Sequence, residues 1–265
     1  MEIQLYSKNR HHILYDAQQI SQISEHWFQH TWWQDKAQIN EPSGGRGQAI
    51  FVQPNGDFCS TVGAVPELVL RHYRRGGLIA RLIKDRYLFT GIENSRPWQE
   101  FKLTCTLFEQ GLPVPRPIAA HIETQGLFYQ ADLITERLPD SRPFADYLSW
   151  DKDNNLEPNL ALIWQNVGQT LARFHRFGLN HSDLNANNIL VNSTGQVWVI
   201  DFDRCRLDDP KQHQWQQNNM QRLQRSILKL TGQEQLSGQL LELWQQLYQH
   251  YRLLLPEAEK GNGAI

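Results

Sequence analysis

The sequence predicts an α+β protein of two lobes, the first β-rich and the second helical. Three observations predict it. Up to about residue 136, short apolar runs of strand length alternate with turn residues, and one long stretch, Pro97–Gln110, looks helical. At Glu136–Pro143 that pattern is interrupted by Pro139, Asp140 and Pro143. Beyond it the apolar period turns helical, with Leu160, Ile163, Val167, Leu171 and Phe174 at spacings of 3, 4, 4 and 3. The lobes are therefore expected at residues 1–136 and 137–265.

Each element follows from local composition. His11–Tyr15 reads as a short strand, and Ser21–Trp33 as a helix carrying Ile23, Trp27 and Phe28. A Gly-rich turn, Pro42-Ser43-Gly44-Gly45-Arg46-Gly47, precedes an apolar strand at Ala49–Val52. Glu67–Tyr73 is a further strand, with Leu68 and Leu70 on one face and Val69 and Arg71 on the other. In the helix at Pro97–Gln110, Trp98, Phe101, Leu103, Cys105 and Phe108 supply most of the apolar content, and Gly111 sits at the expected stop. Three prolines in Leu112–Pro117 exclude helix and central strand there. Strands follow at Pro117–Glu123 and Phe128–Thr135. In the second lobe, Gly178 ends the helix, Ile189–Val191 and Val197–Ile200 flank a turn at Ser193-Thr194-Gly195, and a Gln-rich helix comes next. Leu236, Leu240, Trp244, Leu247 and Tyr251 form the stripe of a last helix.

Composition narrows the function. The chain has 265 residues, 40% hydrophobic and 20% charged, which excludes disorder, collagen and coiled coil. Twenty-six Lys and Arg stand against 28 Asp and Glu, a net charge of −2, so the chain as a whole is no general nucleic-acid binder. Three scattered cysteines make neither a disulfide framework nor a CxxC zinc site, and a reducing compartment is expected. No apolar run opens the chain as a signal peptide and none reaches spanning length, so a cytosolic or membrane-surface location is expected.

The densest chemical signal is His181-Ser182-Asp183-Leu184-Asn185-Ala186-Asn187-Asn188, between a helix and a strand, with Asp201-Phe202-Asp203 closing the next strand. Asn188 lies five positions after Asp183, and Asp201 eighteen after it. These segments resemble the H-R-D-L-x-x-x-N and D-F-G elements of the protein-kinase-like fold, with Ser182 for Arg and Asp203 for Gly. The resemblance implies a bilobal α+β fold with a small β-rich N-lobe and a larger helical C-lobe. It implies Asp183 as the base that accepts the hydroxyl proton, and Asn188 and Asp201 as oxygen ligands of Mg²⁺ on ATP. His181 is expected to brace the loop rather than carry a proton.

The upstream parts are thinner. Gly45 and Gly47 are candidates to cover the nucleotide phosphates, although the third glycine of G-x-G-x-x-G is missing and a plain hairpin turn fits equally. No G-x-x-x-x-G-K-[ST] supports a P-loop enzyme. Glu100 lies where a kinase keeps the acid that pairs with its phosphate-binding lysine, and Arg71 occupies the lysine's slot, with Lys84 as a rival. From Arg71 to Tyr87 the chain carries Arg71, Arg74, Arg75, Arg81, Lys84 and Arg86 against Asp85 alone. Leu78, Ile79, Leu82 and Ile83 are interleaved at helical spacing, which suits an anionic membrane surface or a lipid-linked acidic substrate, or else a solvated basic face. No A-P-E stretch follows Asp203, which favours a small or lipid-borne acceptor over a protein.

Taken with Gly44–Gly47, the runs L-V-L-R-H-Y-R-R-G-G (Leu68–Gly77), P-W-Q-E-F (Pro97–Phe101), G-L-P-V-P-R-P (Gly111–Pro117) and H-S-D-L-N-A-N-N-I-L (His181–Leu190) are similar to the bacterial 3-deoxy-D-manno-octulosonic acid (Kdo) kinases of the lipopolysaccharide core kinase family. The resemblance runs from about residue 40 to about residue 250. It implies ATP-dependent phosphorylation of the 4-hydroxyl of a Kdo residue on a Kdo–lipid A precursor. It also implies peripheral association with the cytoplasmic face of the inner membrane. Heptose or another small molecule as acceptor, and a catalytically inactive module that binds lipid or a partner, are the competing readings.

Overall fold

The computed structural model describes residues 1–40, 49–54, 67–74, 85–148 and 160–255. Alternating buried and half-buried residues build one antiparallel sheet in the first half of the chain. Its strands are β1 (Ile3–Lys8), β2 (His11–Asp16), β3 (Ala37–Asn40), β4 (Ala49–Pro54), β5 (Leu68–His72), β6 (Tyr87–Leu88), β7 (Pro117–Gln125) and β8 (Phe128–Glu136). The order across the sheet is β1-β2-β7-β8-β5-β4-β3, and β6 pairs with the start of β8. Each face buries its own core. Ile13, Val52, Leu68, Leu70, Ala119 and Ile134 lie on one face under Ile20, Ile23, Trp27 and Trp33. Leu14, Tyr73, Ile122, Ala131 and Leu133 lie on the other, packed with Trp98, Phe101 and Cys105 of the helix Arg96–Glu109.

The segment expected as a helix at Ser21–Trp33 takes a different form. It holds a 3-10 turn at Glu25–Phe28 and a single helical turn, α1 (His30–Trp33), separated by Gln29 in extended conformation at φ −102° and ψ 121°. Neither turn has a side-chain cap. Packing explains the break: Trp27 and Trp33 meet edge-on with centroids 5.7 Å apart, and the Trp33 Nε1–H donates to the Trp27 carbonyl at 2.7 Å. A continuous helix would send these rings around its axis, whereas the folded-back turns lay both on the sheet. The helix Arg96–Glu109, here α2, is as expected, with Pro97 in its first turn and Gly111 at φ 67° after its end.

The chain divides into two compact units, Met1–Gly111 with Pro115–Leu138 and Leu112–Val114 with Pro139–Ile265. The second unit is built on α3 (Leu160–Phe177), α4 (His213–Thr231) and α5 (Gly238–Leu253). Gly168 of α3 is in direct contact with the α5 backbone, where a Cβ would strike the Leu247 carbonyl. Three strands, β9 (Ser141–Pro143), β11 (Ile189–Asn192) and β12 (Val197–Val199), form a sheet with β11 in the centre. β9 lies in the segment read as a break. Its Pro143 has no N–H to give, which suits its place at an edge. A two-residue ladder joins β10 (Leu179–Asn180) to β13 (Arg206–Leu207), a pairing too short to leave a sequence signal.

Candidate active site

The expected chemistry falls into two groups of side chains, one in each unit. In the first, the period of two along β5 sends Arg71 and Tyr73 to the face covered by α2, where Glu100 meets them. Arg71 Nη2 donates to Glu100 Oε1 at 2.5 Å and to the Tyr73 hydroxyl at 3.1 Å. The Tyr73 hydroxyl donates to Glu100 Oε2. Glu100 is 2% exposed, so both of its oxygens need such partners, and the guanidinium also lies over the Tyr73 ring at 4.7 Å. Lys84, Gly45 and Gly47 lie outside the described residues.

The opposite face of β5 is tied as firmly. His72 Nδ1 is 2.6 Å from Asp132 Oδ1 on β8, and Asp132 Oδ2 is 3.0 Å from His121 Nδ1 on β7. The three residues stand directly across from one another in the ladder. The hydrogen bond to Asp132 raises the pKa of His72, against the opposing effect of burial. Burial works to raise that of Asp132, but the bonds from His121 and His72 prevail and hold it below the ordinary carboxylate value. A salt-bridged row thus clamps the strand that carries Arg71.

In the second unit, α3 ends at Gly178, which adopts φ 98° beside the Asp208 carbonyl, and the chain enters β10 and then the His181–Asn188 loop. His181 is buried and holds that loop to the next strand. Its Nδ1 accepts the Asp183 N–H at 3.2 Å and its Nε2 lies 3.1 Å from the Ile200 carbonyl. One ring nitrogen must therefore accept while the other donates, which the neutral imidazole does. Burial lowers the His181 pKa, in keeping with that state. Asn188 Nδ2 donates to the Asp183 carbonyl at 2.9 Å, and the Ile200 N–H bonds to the Asn188 carbonyl at 3.0 Å. Ser182 Oγ donates to the Asp203 carbonyl at 2.7 Å. Asp183, Asn188 and Asp201 are thereby fixed on two loops joined backbone to backbone. The Asp183 side chain is exposed. Asp201 sits at φ 66°, a left-handed conformation that costs a non-glycine residue of order 1–3 kcal/mol and that clusters at functional sites.

Residues 30–251 match the model of the lipopolysaccharide kinase (Kdo/WaaP) family. The chain belongs to that family. It is 40% identical over 227 residues to a 3-deoxy-D-manno-octulosonic acid kinase of Vibrio parahaemolyticus, covering 86% of this chain and 88% of that protein. It is equally 40% identical to one from Xylella fastidiosa, over 85% of this chain and 84% of that protein. One from Xanthomonas campestris is 41% identical over 83% and 81%. A solved structure, WaaP in complex with acyl carrier protein, aligns with 83% of this chain and 82% of its own at 16% identity and a TM-score of 0.48. The protein is thus an ATP-dependent sugar kinase with an α+β fold.

Two residues that support the candidate site, one in each unit, escaped the sequence reading. Tyr73 was one; its place two positions after Arg71 put it on the same strand face, which was the signal available. Asn219 of α4 was the other. It is buried, accepts the His181 N–H at 2.9 Å and donates to Asn180 Oδ1 at 2.8 Å. Its spacing of four from both Trp215 and Leu223, which are buried, would have flagged it as an interior polar residue. A cavity of about 760 Å³ in the second unit, lined among others by Tyr147, Trp164, Leu230 and Leu243, includes none of the residues of the candidate site.

Metal binding can be judged from the donors. Among the described residues no group of three or more His, Cys, Asp or Glu side chains is placed to hold a metal ion. Asp201 offers a carboxylate and Asn188 an amide oxygen whose Nδ2 is already engaged. Two hard oxygens, with the remaining positions left to phosphate and water, fit Mg²⁺, which keeps much of its hydration and prefers such sparse protein sites.

Proposed function

We propose that this kinase transfers the γ-phosphoryl group of ATP to the 4-hydroxyl of a Kdo residue on a Kdo–lipid A precursor, in lipopolysaccharide inner-core synthesis. The observation that carries the reading is the 40% identity to Kdo kinases over 227 residues, a span that includes most of the chain. Asp183 acts as base: the acceptor oxygen bonds to phosphorus, its proton passes to the carboxylate, and ADP leaves. Asn188 and Asp201 hold Mg²⁺, which when bound neutralises phosphate charge. Arg71 holds phosphate, and Glu100, with Tyr73, fixes the direction of its guanidinium. Gly45 and Gly47 cover the nucleotide. The enzyme works at the cytoplasmic face of the inner membrane as a peripheral protein. No described helix is long and apolar enough to cross a membrane.

The test is transfer of labelled phosphate from ATP with Mg²⁺ to a membrane-embedded Kdo–lipid A precursor, beside a heptose-bearing core acceptor. Labelling of the Kdo acceptor is the expected result. Labelling of the heptose acceptor alone would keep the chemistry and refute the acceptor.

A further inference from the structure

One end of the first unit's sheet gathers features that the phosphotransfer chemistry does not use. The turn between β7 and β8 lies there, with Leu127 73% exposed. β6 pairs with the start of β8, so that Leu88, 59% exposed, comes beside it, and the Phe89 N–H donates to the Leu127 carbonyl at 2.9 Å. The turn between β1 and β2 reaches the same end, where the Thr124 N–H bonds to the Arg10 carbonyl at 2.8 Å. β5 also leaves the sheet here, His72 pairing with Asp132 four positions into β8.

The exposed charges at this end are mostly basic, while the half-buried Glu25 faces Lys8 and His11. Lys8, Arg10, Arg74 and Arg86 are all exposed. The sequence stretch with the highest density of Lys and Arg, Arg71–Arg86, therefore has both of its ends at this place. The acids on these strand ends are engaged: Glu123 with Arg10 at 2.9 Å, and Asp85 with Gln130 at 2.5 Å and His72 at 3.6 Å. Glu93, after β6, is exposed. Two neighbouring exposed leucines, Leu127 on a turn and Leu88 on the two-residue strand β6, at a sheet end that also carries arginine and lysine, are costly to leave in water. They match a bilayer surface, where apolar tips enter the headgroup–acyl boundary and long cationic side chains reach anionic phosphates.

We propose that this end of the sheet docks the protein on an anionic lipid bilayer, with Leu88 and Leu127 inserted and Lys8, Arg10, Arg74 and Arg86 around them. The proposal deepens the reading of a lipid-borne acceptor and rests on it. Docking would keep the enzyme at the membrane surface, so that encounter with a lipid-borne acceptor becomes a search within a plane.

Sedimentation of the full chain with phosphatidylethanolamine vesicles, with and without phosphatidylglycerol, tests this. The wild type pellets with the anionic vesicles. Leu88→Ser with Leu127→Ser lowers the partition by about tenfold or more, the scale of removing two leucines from an apolar phase. Lys8→Glu with Arg86→Glu lowers it too, at exposed positions where folding is not at stake. Leu5→Ser, at a 49% exposed leucine in the middle of β1, leaves it unchanged. Wild-type partition by the leucine variant, or an equal loss in Leu5→Ser, overturns the proposal, as does binding that is indifferent to phosphatidylglycerol. The same proteins are then assayed on acceptor in vesicles and on de-acylated acceptor in solution. The leucine variant loses rate on the first alone, and an equal loss on both overturns the docking role. If the wild type phosphorylates neither acceptor, the proposed function falls, while the vesicle partition still decides the docking surface.

Discussion

At the scale of the residue, the sharpest expectation concerns Asp183. Its side chain is exposed, while its N–H and carbonyl are held by His181 and Asn188. Asp183→Ala should leave this loop in place, retain ATP binding, and lose about 10²–10⁴-fold in transfer, the range for removal of a general base. Near-normal turnover of that variant in a single-turnover assay would sink the assignment. Arg71 and Glu100 make an asymmetric pair. Glu100 is almost wholly buried, whereas Arg71 reaches water. Arg71→Ala strands a buried carboxylate and should cost on the order of 3 kcal/mol, clearly more than Glu100→Gln, which leaves a cation that water can reach. Urea unfolding of both variants checks the order, and a larger loss in Glu100→Gln would refute it. Arg71 and Glu100 were legible because kinase motifs fix where a phosphate cation and its acid should fall. Tyr73 was not, because a tyrosine on a strand is ordinary core material until its hydroxyl is seen against a buried carboxylate. Asn219 was hidden similarly, inside a helix whose many exposed glutamines masked the polar residues that face inward, Gln216 and Asn219.

At the scale of the element, periodicity succeeded where one partner face decided the structure. α2, α3 and α5 each present an apolar stripe to the rest of their own unit, and the spacing read correctly except at Leu236, which precedes α5. It failed at Ser21–Trp33, where Ile23 and Trp27 have helical spacing but the face to be covered is a flat sheet. There, burying two indoles and satisfying the Trp33 N–H outweighed a continuous helix. β9 was missed for the opposite reason: a three-residue edge strand containing proline has almost no local signal. The contact between α3 and α5 supports a prediction. Alanine at position 168 would gain about 1 kcal/mol of helix propensity. Its Cβ, however, meets the Leu247 carbonyl, which belongs to a packed helix and cannot swing aside as a side-chain tip can. Forced separation of packed elements costs about 1–3 kcal/mol. Gly168→Ala should therefore lower the urea midpoint, and a midpoint at or above that of the wild type would show that the helices part without cost.

At the scale of the whole molecule, the chain divides into two compact units, and not by a single cut. Leu112–Val114 belong to the second unit although both flanks belong to the first, because the Pro113 carbonyl accepts the Val199 N–H of β12 at 3.0 Å. A three-proline spacer reads as a linker, and nothing in its composition tells which strand it will meet. His175 and His72 have pKa values shifted in opposite directions, which gives the molecule two pH limits. In the second unit, burial drives the pKa of His175 down to about 3, with the Asn219 hydrogen bond opposing. The unfolded chain then binds a proton that the folded one refuses, so stability falls as pH drops below about 6.5, by several kcal/mol in the limit. In the first unit, the His72 pKa is raised through Asp132, so its contribution is complete below the unfolded value and is lost as pH rises through the folded one. Urea midpoints followed by tryptophan fluorescence against pH should separate the two. His175→Gln should flatten the acid limb and leave the alkaline side alone. His72→Asn should flatten the decline above neutrality. If the two variants kept the wild-type slopes on their own sides, the limits would have to be sought in groups other than these two histidines.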